Sequence, residues 1–443
     1  MVSAKLSDAI RAAGVVDAGG GGFPTHVKAD AEADTVLANG AECEPLLRAD
    51  SAVMSIAPDR IIRGLTLLRD AVGAERAVLA VKRKNLESLP GLRKAVEAAD
   101  GVELLVLENV YPAGDEYLLV YEATGRVVPE GGLPLDVGVV VSNVTTLAQV
   151  AEAREGRPVT SRYVTVQGAV RRPLTVRAPI GTRLAVLLEA AGGPTCDSFA
   201  VIAGGPMMGR LAELNEPTDK TLAGIIVLPA AHHLVTTRRE TAAHALRVAR
   251  AACCQCMACT ELCPRALLGH DLEPHRTVRA IQYSTEAADH AHVTSAYLCC
   301  ECGMCELFAC PLEIRPRRIL AELKAELKRR GVANPHTRTE LDPSGVREYR
   351  QIPSARLVQR LGLSRYDGPV DLCADLLEPD SVRLRMQQHV GEPATPLVEQ
   401  GASVLQGDVV GEIPAGALGA RVHASLSGEI TMVSESEIII ERR

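Results

Sequence analysis

The chain is short of aromatic residues. It has no tryptophan, three phenylalanines and eight tyrosines in 443 residues, too few for the stacking platforms that bind single-stranded nucleic acid. It also lacks a surplus of positive charge. Lysine and arginine number 48 against 55 aspartates and glutamates, a formal charge of −7 that argues against nucleic acid as the main partner. No apolar run reaches the roughly 18 residues of a membrane helix, so no transmembrane segment is expected. The opening MVSAKLSDAIRAAGVVDAGG has neither a long apolar stretch nor a small-residue cleavage site, so no secretion signal is expected and the location is read as cytoplasmic. With 47% hydrophobic and 23% charged residues the chain reads as a folded protein, long enough for about three domains.

Cysteine is not scarce: there are thirteen, ten of them within residues 253–310. The first run is Cys253, Cys256, Cys259, Cys263, followed by Pro264, and reads C-x2-C-x2-C-x3-C-P once Cys254 is set aside. This is the bacterial ferredoxin pattern for a [4Fe–4S] cube, in which three closely spaced thiolates cap one cube and the fourth ligates the other. The second run is Cys299, Cys302, Cys305, Cys310 with Pro311, one residue longer before its last cysteine. The extra residue, within Leu307-Phe308-Ala309, should form a bulge. The expected metal sets are Cys253, Cys256, Cys259 and Cys310 for one cube, and Cys299, Cys302, Cys305 and Cys263 for the other. Disulfides would need an oxidising compartment, and zinc sites use two CxxC pairs rather than such runs. Cys254 and Cys300 read as small buried thiols. Glu240–Ala252, the spacer containing Val278, Ile281 and Tyr297, and the stripe Ile319, Leu320, Leu323 and Leu327 read as helices around the clusters. Arg315, Arg317 and Arg318 are placed to offset cluster charge or to solvate a helix start.

Residues 19–28, Gly-Gly-Gly-Gly-Phe-Pro-Thr-His-Val-Lys, free the backbone to wrap a phosphate with its N–H groups, and Lys28 adds a positive charge. The loop is neither the dinucleotide GxGxxG nor a P-loop. Asn39-Gly40-Ala41-Glu42-Cys43-Glu44-Pro45 reads as a second polar turn. A helix over Pro58–Val72 ends at Gly73. Val78–Val81, Glu103–Leu107 and Asp136–Ser142 read as short buried strands, with Tyr111-Pro112-Ala113-Gly114-Asp115-Glu116 between them. Strands alternating with helices imply a parallel α/β sheet whose strand ends gather ligand loops.

GGGGFPTHVK, NGAECEP, YPAGDE and VSNVTT, in this order and followed by two cluster motifs, resemble the flavoprotein subunit of respiratory complex I. Closer still are the C subunit of the Rnf complex and the cobalamin reductases of propanediol-utilisation microcompartments. The resemblance implies FMN held by Gly19, Gly20, Gly22, Lys28, Asn39, Glu42, Tyr111, Gly114, Glu116, Asn143 and Thr146, with Phe23 near the nicotinamide of NADH. It departs at Asp17, where the family loop has glycine; an acid beside a phosphate is unfavourable, so Asp17 either turns outward or weakens flavin binding. The implied fold is an α/β class with an FMN/NADH-binding domain (1–157), a β-grasp domain (158–235), a helical two-cluster ferredoxin domain (236–332), a linker (333–378) and a barrel-sandwich hybrid (379–443). In the β-grasp stretch Arg162–Val170 and Leu174–Ala178 read as paired strands and Thr182–Ala191 as a helix. The turn Gly204–Gly209 carries methionines that read as packing.

The hybrid module resembles lipoyl and biotinyl carriers, yet no lysine follows Lys328, so it cannot be acylated and reads as a docking or packing domain. Its place after the clusters resembles the microcompartment cobalamin reductases. The implied path runs from NADH through FMN and two [4Fe–4S] clusters to a corrinoid presented by an adenosyltransferase, inside a bacterial microcompartment whose shell proteins are further partners. DxHxxG, a cobalamin-binding motif, is missing. Two other readings are an Rnf-like electron-transfer adapter without its own substrate reduction, and clusters that act as structural staples. Leu6 and Ile10 form an amphipathic stretch, read as a helix feeding the flavin loop rather than a shell-targeting tag. His232, His233, His290 and His292 read as surface or linker residues.

Overall fold

The structure, a computed structural model, describes residues 5–283 and 291–443. The Ala-rich centre of the expected spacer helix and His290 lie outside them.

The first domain opens with helix α1 (Leu6–Ala13), which buries Ile10 and Ala13 and stops at the left-handed Gly14. The glycine loop then leads into helix α2 (Thr25–Ala29) and strand β1 (Thr35–Gly40). Helices α3 (Ala49–Ile56) and α4 (Pro58–Val72) follow, α4 with proline in its first turn and Gly73 closing it at φ 69°. Strands β2 (Arg76–Lys82), β3 (Val102–Leu107), β4 (Val110–Tyr111) and β5 (Val139–Asn143) come next. β3, β2, β1 and β5 lie side by side in that order, all parallel. The chain winds from β1 toward β3 and then returns to the far side of β1, so the switch point lies between β1 and β5.

Three local expectations change. Asn39 and Gly40 end strand β1 instead of forming a turn, because Thr35–Ala38 is a fully buried run paired on both sides. The last strand starts at Val139 and not at Asp136. Pro134–Val137 forms a 3-10 turn in which Asp136 accepts the Leu133 N–H at 2.7 Å, and Gly138 closes it. Strand β3 is only partly buried, since it is the sheet edge.

The β-grasp sheet is ordered 371–376, 174–179, 161–168, 224–229, 199–203, 210–212. The expected pairing of the first two strands of this domain is antiparallel, and the helix Leu184–Ala190 ends before Gly192 and Gly193, both at positive φ. The stretch 333–378, expected as a linker, also contributes structure. Ile352–Pro353 pairs with β4, Ser354–Arg360 is helical, and Asp371–Leu376 adds a strand parallel to Leu174–Pro179. Its apolar residues Ile352, Leu357 and Leu361 are buried against the other modules, which a free linker would leave in water.

Helices Ala242–Ala252, Pro274–Tyr283 and Pro316–Arg329 surround the two cysteine runs. The third cysteine of the first run, Cys259, lies in the α-helical turn Ala258–Glu261; that of the second, Cys305, lies in the π-helical turn Met304–Ala309. A π turn is how a helix absorbs one inserted residue, so the extra residue sits there. The C-terminal module stacks two antiparallel sheets, one ordered 381–385, 437–442, 428–433, 403–404 and the other 395–396, 409–412, 422–423.

α4 packs on the helix Val144–Arg154 at Gly64, where a Cβ would stand 1.9 Å from the Leu147 carbonyl oxygen. In an open helix Gly→Ala stabilises by about 1 kcal/mol. Here Gly64→Ala is expected to push the two helices apart and cost about 1–3 kcal/mol, read as a lower thermal midpoint; a raised midpoint would refute the close approach.

Candidate functional site

Asn39 and Asn143 are direct partners across β1 and β5, at the carboxyl ends of both strands. This is the switch point where open α/β sheets hold ligands. The glycine loop folds over it. The Asp17 N–H bonds the Phe23 carbonyl at 2.8 Å and the Gly22 N–H bonds the Asp17 carbonyl at 3.1 Å, closing the loop at its neck. Thr146 Oγ1 accepts the Ala18 N–H at 2.8 Å. Gly19, Gly20 and Gly21 stay exposed, and nothing lies within 4 Å of a Cβ built on Gly20 or Gly21. The Ser142 hydroxyl, one residue before the end of β5, and the Thr25 hydroxyl, at the start of α2, are buried without a partner. An open glycine turn at a strand end, with unpartnered hydroxyls on the flanking elements, fits a phosphate-bearing flavin nucleotide.

Asp17 does not turn outward. Its carboxylate is buried, accepts the Gly19 N–H at 3.0 Å and pairs with Lys28 Nζ at 2.6 Å, which also donates to the Val141 carbonyl at 2.7 Å. Burial alone would lower the Lys28 pKa, yet Asp17, with Glu116 behind it, holds it above its ordinary value. The positive charge expected for a phosphate is thus neutralised within the loop.

The remaining expected contacts divide. Asn39 Nδ2 donates to the Gly114 carbonyl at 3.0 Å, and Gly114 is tightly packed, with Cys43 Sγ 3.1 Å from a built Cβ. Glu116 is exposed at the first turn of the helix Glu116–Thr124, and Phe23 is half-buried. Asn143 caps the helix Val144–Arg154 through the Thr145 N–H at 2.8 Å and donates to Asp50 at 2.8 Å. Glu42 accepts the Asp50 N–H at 2.7 Å and the Ser51 N–H at 3.2 Å, so it caps α3. The Tyr111 hydroxyl is buried and donates to the Cys302 carbonyl at 2.6 Å.

The thirteen cysteines are free thiols, and the two runs interleave. Cys253, Cys254, Cys256, Cys259 and Cys310 line one cavity, where Cys254 is exposed and not the buried thiol expected. Cys263, Cys299, Cys300, Cys302 and Cys305 line another. The runs share a backbone device. Gln255 and Met257 in one, Glu301 and Gly303 in the other, are left-handed, at matching places between the thiols. Burial, then the neighbouring thiols, push Cys259 up to about 12; burial and Cys300 do the same for Cys299. Such thiols ionise only against a strong positive charge, which suits metal ligands. Among the described residues no three His, Cys, Asp or Glu converge as they would on a single ion, and a cube spreads its ligands wider than one ion does. Arg317 lines the second cavity, whereas Arg315 is bound to Glu240 at 3.0 Å.

Sequence reasoning missed the groups that join the sites. Asp115 caps the helix Glu116–Thr124 and pairs with Arg265 at 2.7 Å, both nearly buried, with the guanidinium 3.6 Å above the Tyr117 ring. Glu44 accepts the Met207 and Met208 N–H groups, each at 2.9 Å. Met207 is buried, as its packing role required. The clue in the sequence was only that both acids sit inside motifs otherwise assigned to the flavin.

Fold and sites define an electron-transfer oxidoreductase with an FMN-binding domain and a two-cluster iron–sulfur domain as its cofactor carriers. Residues 10–152 match the Nuo51 FMN-binding domain, 163–211 the SLBB domain, 252–315 the 4Fe-4S dicluster domain and 372–442 the RnfC barrel sandwich hybrid domain. The chain is 44% identical over 440 residues to the cobalamin reductase PduS of Citrobacter freundii, covering 99% of this chain and 96% of that protein. It is 43% identical over 441 residues to that of Salmonella typhimurium, with the same coverage. One component of the Na(+)-translocating ferredoxin:NAD(+) oxidoreductase complex of Acetobacterium woodii is 36% identical over 259 residues, 57% of this chain and 56% of that one. The chain belongs to the cobalamin reductase PduS family.

Burial, with the Asp50 carboxylate second, pushes Glu42 up to about 7. The folded form then holds a proton that the unfolded chain releases above its ordinary carboxylate range, so stability falls as pH rises from about 4.5 to 7. Thermal midpoints are expected to drop across that window, and Glu42→Gln to flatten the drop; an unchanged slope in the variant would exclude Glu42 as its source.

Proposed function

We propose that this chain is a cobalamin reductase: it takes electrons from NADH and passes them, through FMN and two [4Fe–4S] clusters, to a corrinoid. The observation that carries this is the 44% and 43% identity to two cobalamin reductases over nearly the whole chain, all four modules included. FMN, when bound, exchanges electrons in pairs with a nicotinamide and singly with iron–sulfur clusters. The residues divide the remaining work. The Gly20–Gly21 turn offers N–H groups to the phosphate, Asn39 and Asn143 fix the strand ends beneath the flavin, and Glu116 stands at the solvent side. Cys253, Cys256, Cys259 and Cys310 hold one cluster and Cys299, Cys302, Cys305 and Cys263 the other, which follows the grouping of the two cavities. Tyr111 and Arg265 tie the flavin loops to the second set. The modules are assigned to 1–157, 158–235, 236–332 and 379–443. The corrinoid is presented by an adenosyltransferase, and the protein works inside a bacterial microcompartment.

Purified protein loaded anaerobically with iron, sulfide and FMN is expected to oxidise NADH with ferricyanide and with hydroxocobalamin as acceptors. Clusters that dithionite reduces but NADH does not would favour the Rnf-like adapter. The ligand sets have a separate check. Cys253→Ser with Cys310→Ser should remove one cluster, about four iron atoms, whereas Cys253→Ser with Cys263→Ser should impair both; equal iron loss in the two pairs would overturn the assignment. Asp17→Gly frees Lys28 and is expected to tighten FMN binding by roughly tenfold, about 1.4 kcal/mol, measured by flavin fluorescence titration; weaker binding would mean that Asp17 is needed to shape the loop.

A further inference from the structure

The thiols of the two cysteine cavities differ in exposure. In one, Cys263, Cys302 and Cys305 are at most 8% exposed, Cys299 and Cys300 are half-buried, and the Cys302 carbonyl is held by Tyr111 from the flavin domain. In the other cavity Cys254 and Cys256 are exposed, and Met257 and Leu312 on its rim are 42% and 41% exposed. One site therefore abuts the flavin domain and the other opens outward.

The helix Ala242–Ala252 ends directly at Cys253. It buries Ala245 and Ala249 and turns His244, Arg247 and Arg250 to solvent at a helical spacing of three. It contains no acidic residue. At a rise of about 1.5 Å per residue, Arg247 and Arg250 lie within roughly 10 Å of Cys253 along the axis. The helix Pro274–Tyr283 supplies His275 and Val278 to the cavity and carries exposed Arg279 beside them. Of the nearby acids, Glu273 pairs with Arg276 at 3.0 Å and Glu261 with Arg350 at 3.2 Å, while Glu240 and Glu313 share Arg315 at 3.0 and 3.2 Å. Among the described residues Arg247, Arg250 and Arg279 have no such partner. On a chain of formal charge −7, these are three exposed cations on the two helices that border an apolar cluster site with exposed thiols.

We propose that this face is the exit for electrons and the docking site for a redox protein with an acidic surface around its own centre. The proposal rests on the reading that the cysteine cavities hold clusters, and it names the partner that the outer one serves. Met257 and Leu312 give the small apolar centre of a transient contact, and the arginines steer the partner without holding it long. Each productive encounter moves one electron: the partner's metal falls by one oxidation level, the chain's reduced cluster returns to its oxidised level, and no bond or proton changes place. The electron comes from NADH in the proposed reaction and from dithionite in the test.

The test uses holoprotein reduced anaerobically with dithionite and mixed by stopped flow with one of two ferric probes, acidic cytochrome b5 or basic cytochrome c. Reduction of cytochrome b5 should slow about tenfold between low and physiological salt, and about tenfold in the Arg247→Glu/Arg250→Glu double variant. Reduction of cytochrome c by the same variant should be unchanged or faster. Binding of oxidised cytochrome b5 to oxidised holoprotein, followed by fluorescence anisotropy, should weaken in parallel. Iron content is measured for each variant, and Arg250→Gln serves if the double variant loads poorly. Equal salt dependence for the two probes, or a variant with unaltered cytochrome b5 rate and affinity, would overturn the proposal. Because dithionite bypasses NADH and no corrinoid is present, this result stands apart from that of the cobalamin assay.

Discussion

One buried ion pair fixes the relation between the flavin loops and the clusters. Asp115 and Arg265 are 150 residues apart, meet at 2.7 Å and are almost closed to solvent. Asp115 also caps the helix that carries Glu116, and Arg265 follows Cys263 by two residues. The pair therefore ties the first turn of a flavin-side helix to the backbone beside a cluster thiol. Removing one partner would strand a buried charge, at a cost of about 3–5 kcal/mol. Electron transfer depends steeply on distance, and a contact this costly to break holds the cofactor sites at a set separation.

A second set of buried cations holds the glycine loop from behind. Arg162 donates to the carbonyls of Lys220 and, at 2.7 Å, Ala18. Lys220 Nζ donates to the carbonyls of Gly14, at 2.7 Å, and Arg421. Gly14 belongs to the flavin domain, Arg162 and Lys220 to the β-grasp domain and Arg421 to the sandwich, so three modules meet at the root of the flavin loop. Burial pulls Lys220 down to about 7 and, with Lys220 nearby, His423 to about 3. The Val390 N–H bonds the Gly22 carbonyl at 2.9 Å, which brings the sandwich onto the loop itself. A module that cannot carry an acyl arm thus has a structural task.

Much of this was legible in the sequence. The cysteine spacing and the helices around it followed from short motifs, because ligand spacing and helical periodicity are local properties of the chain; the four-module order came from the family resemblance those motifs carry. The inserted residue of the second run was visible too, although its form as a π turn depended on the surrounding packing. The strand Thr35–Gly40 was missed because it ends in a polar Asn-Gly pair, which mimics a turn until the buried register with β2 and β5 is known. The stretch 333–378 was misjudged because its prolines signal a linker, while its buried residues find partners in other modules.

The amino-acid order alone determined which thiols come in triplets, where the glycines permit an open turn, and that no lysine is available to the sandwich. Tertiary structure decided the rest: that Asp17 faces inward and engages Lys28, that the Tyr111 hydroxyl reaches a cysteine carbonyl, and that the thiols of one cluster site are more buried than those of the other. The reason is range. Thiol spacing and backbone freedom are set within a few residues, whereas charge neutralisation and burial depend on groups that only folding brings together.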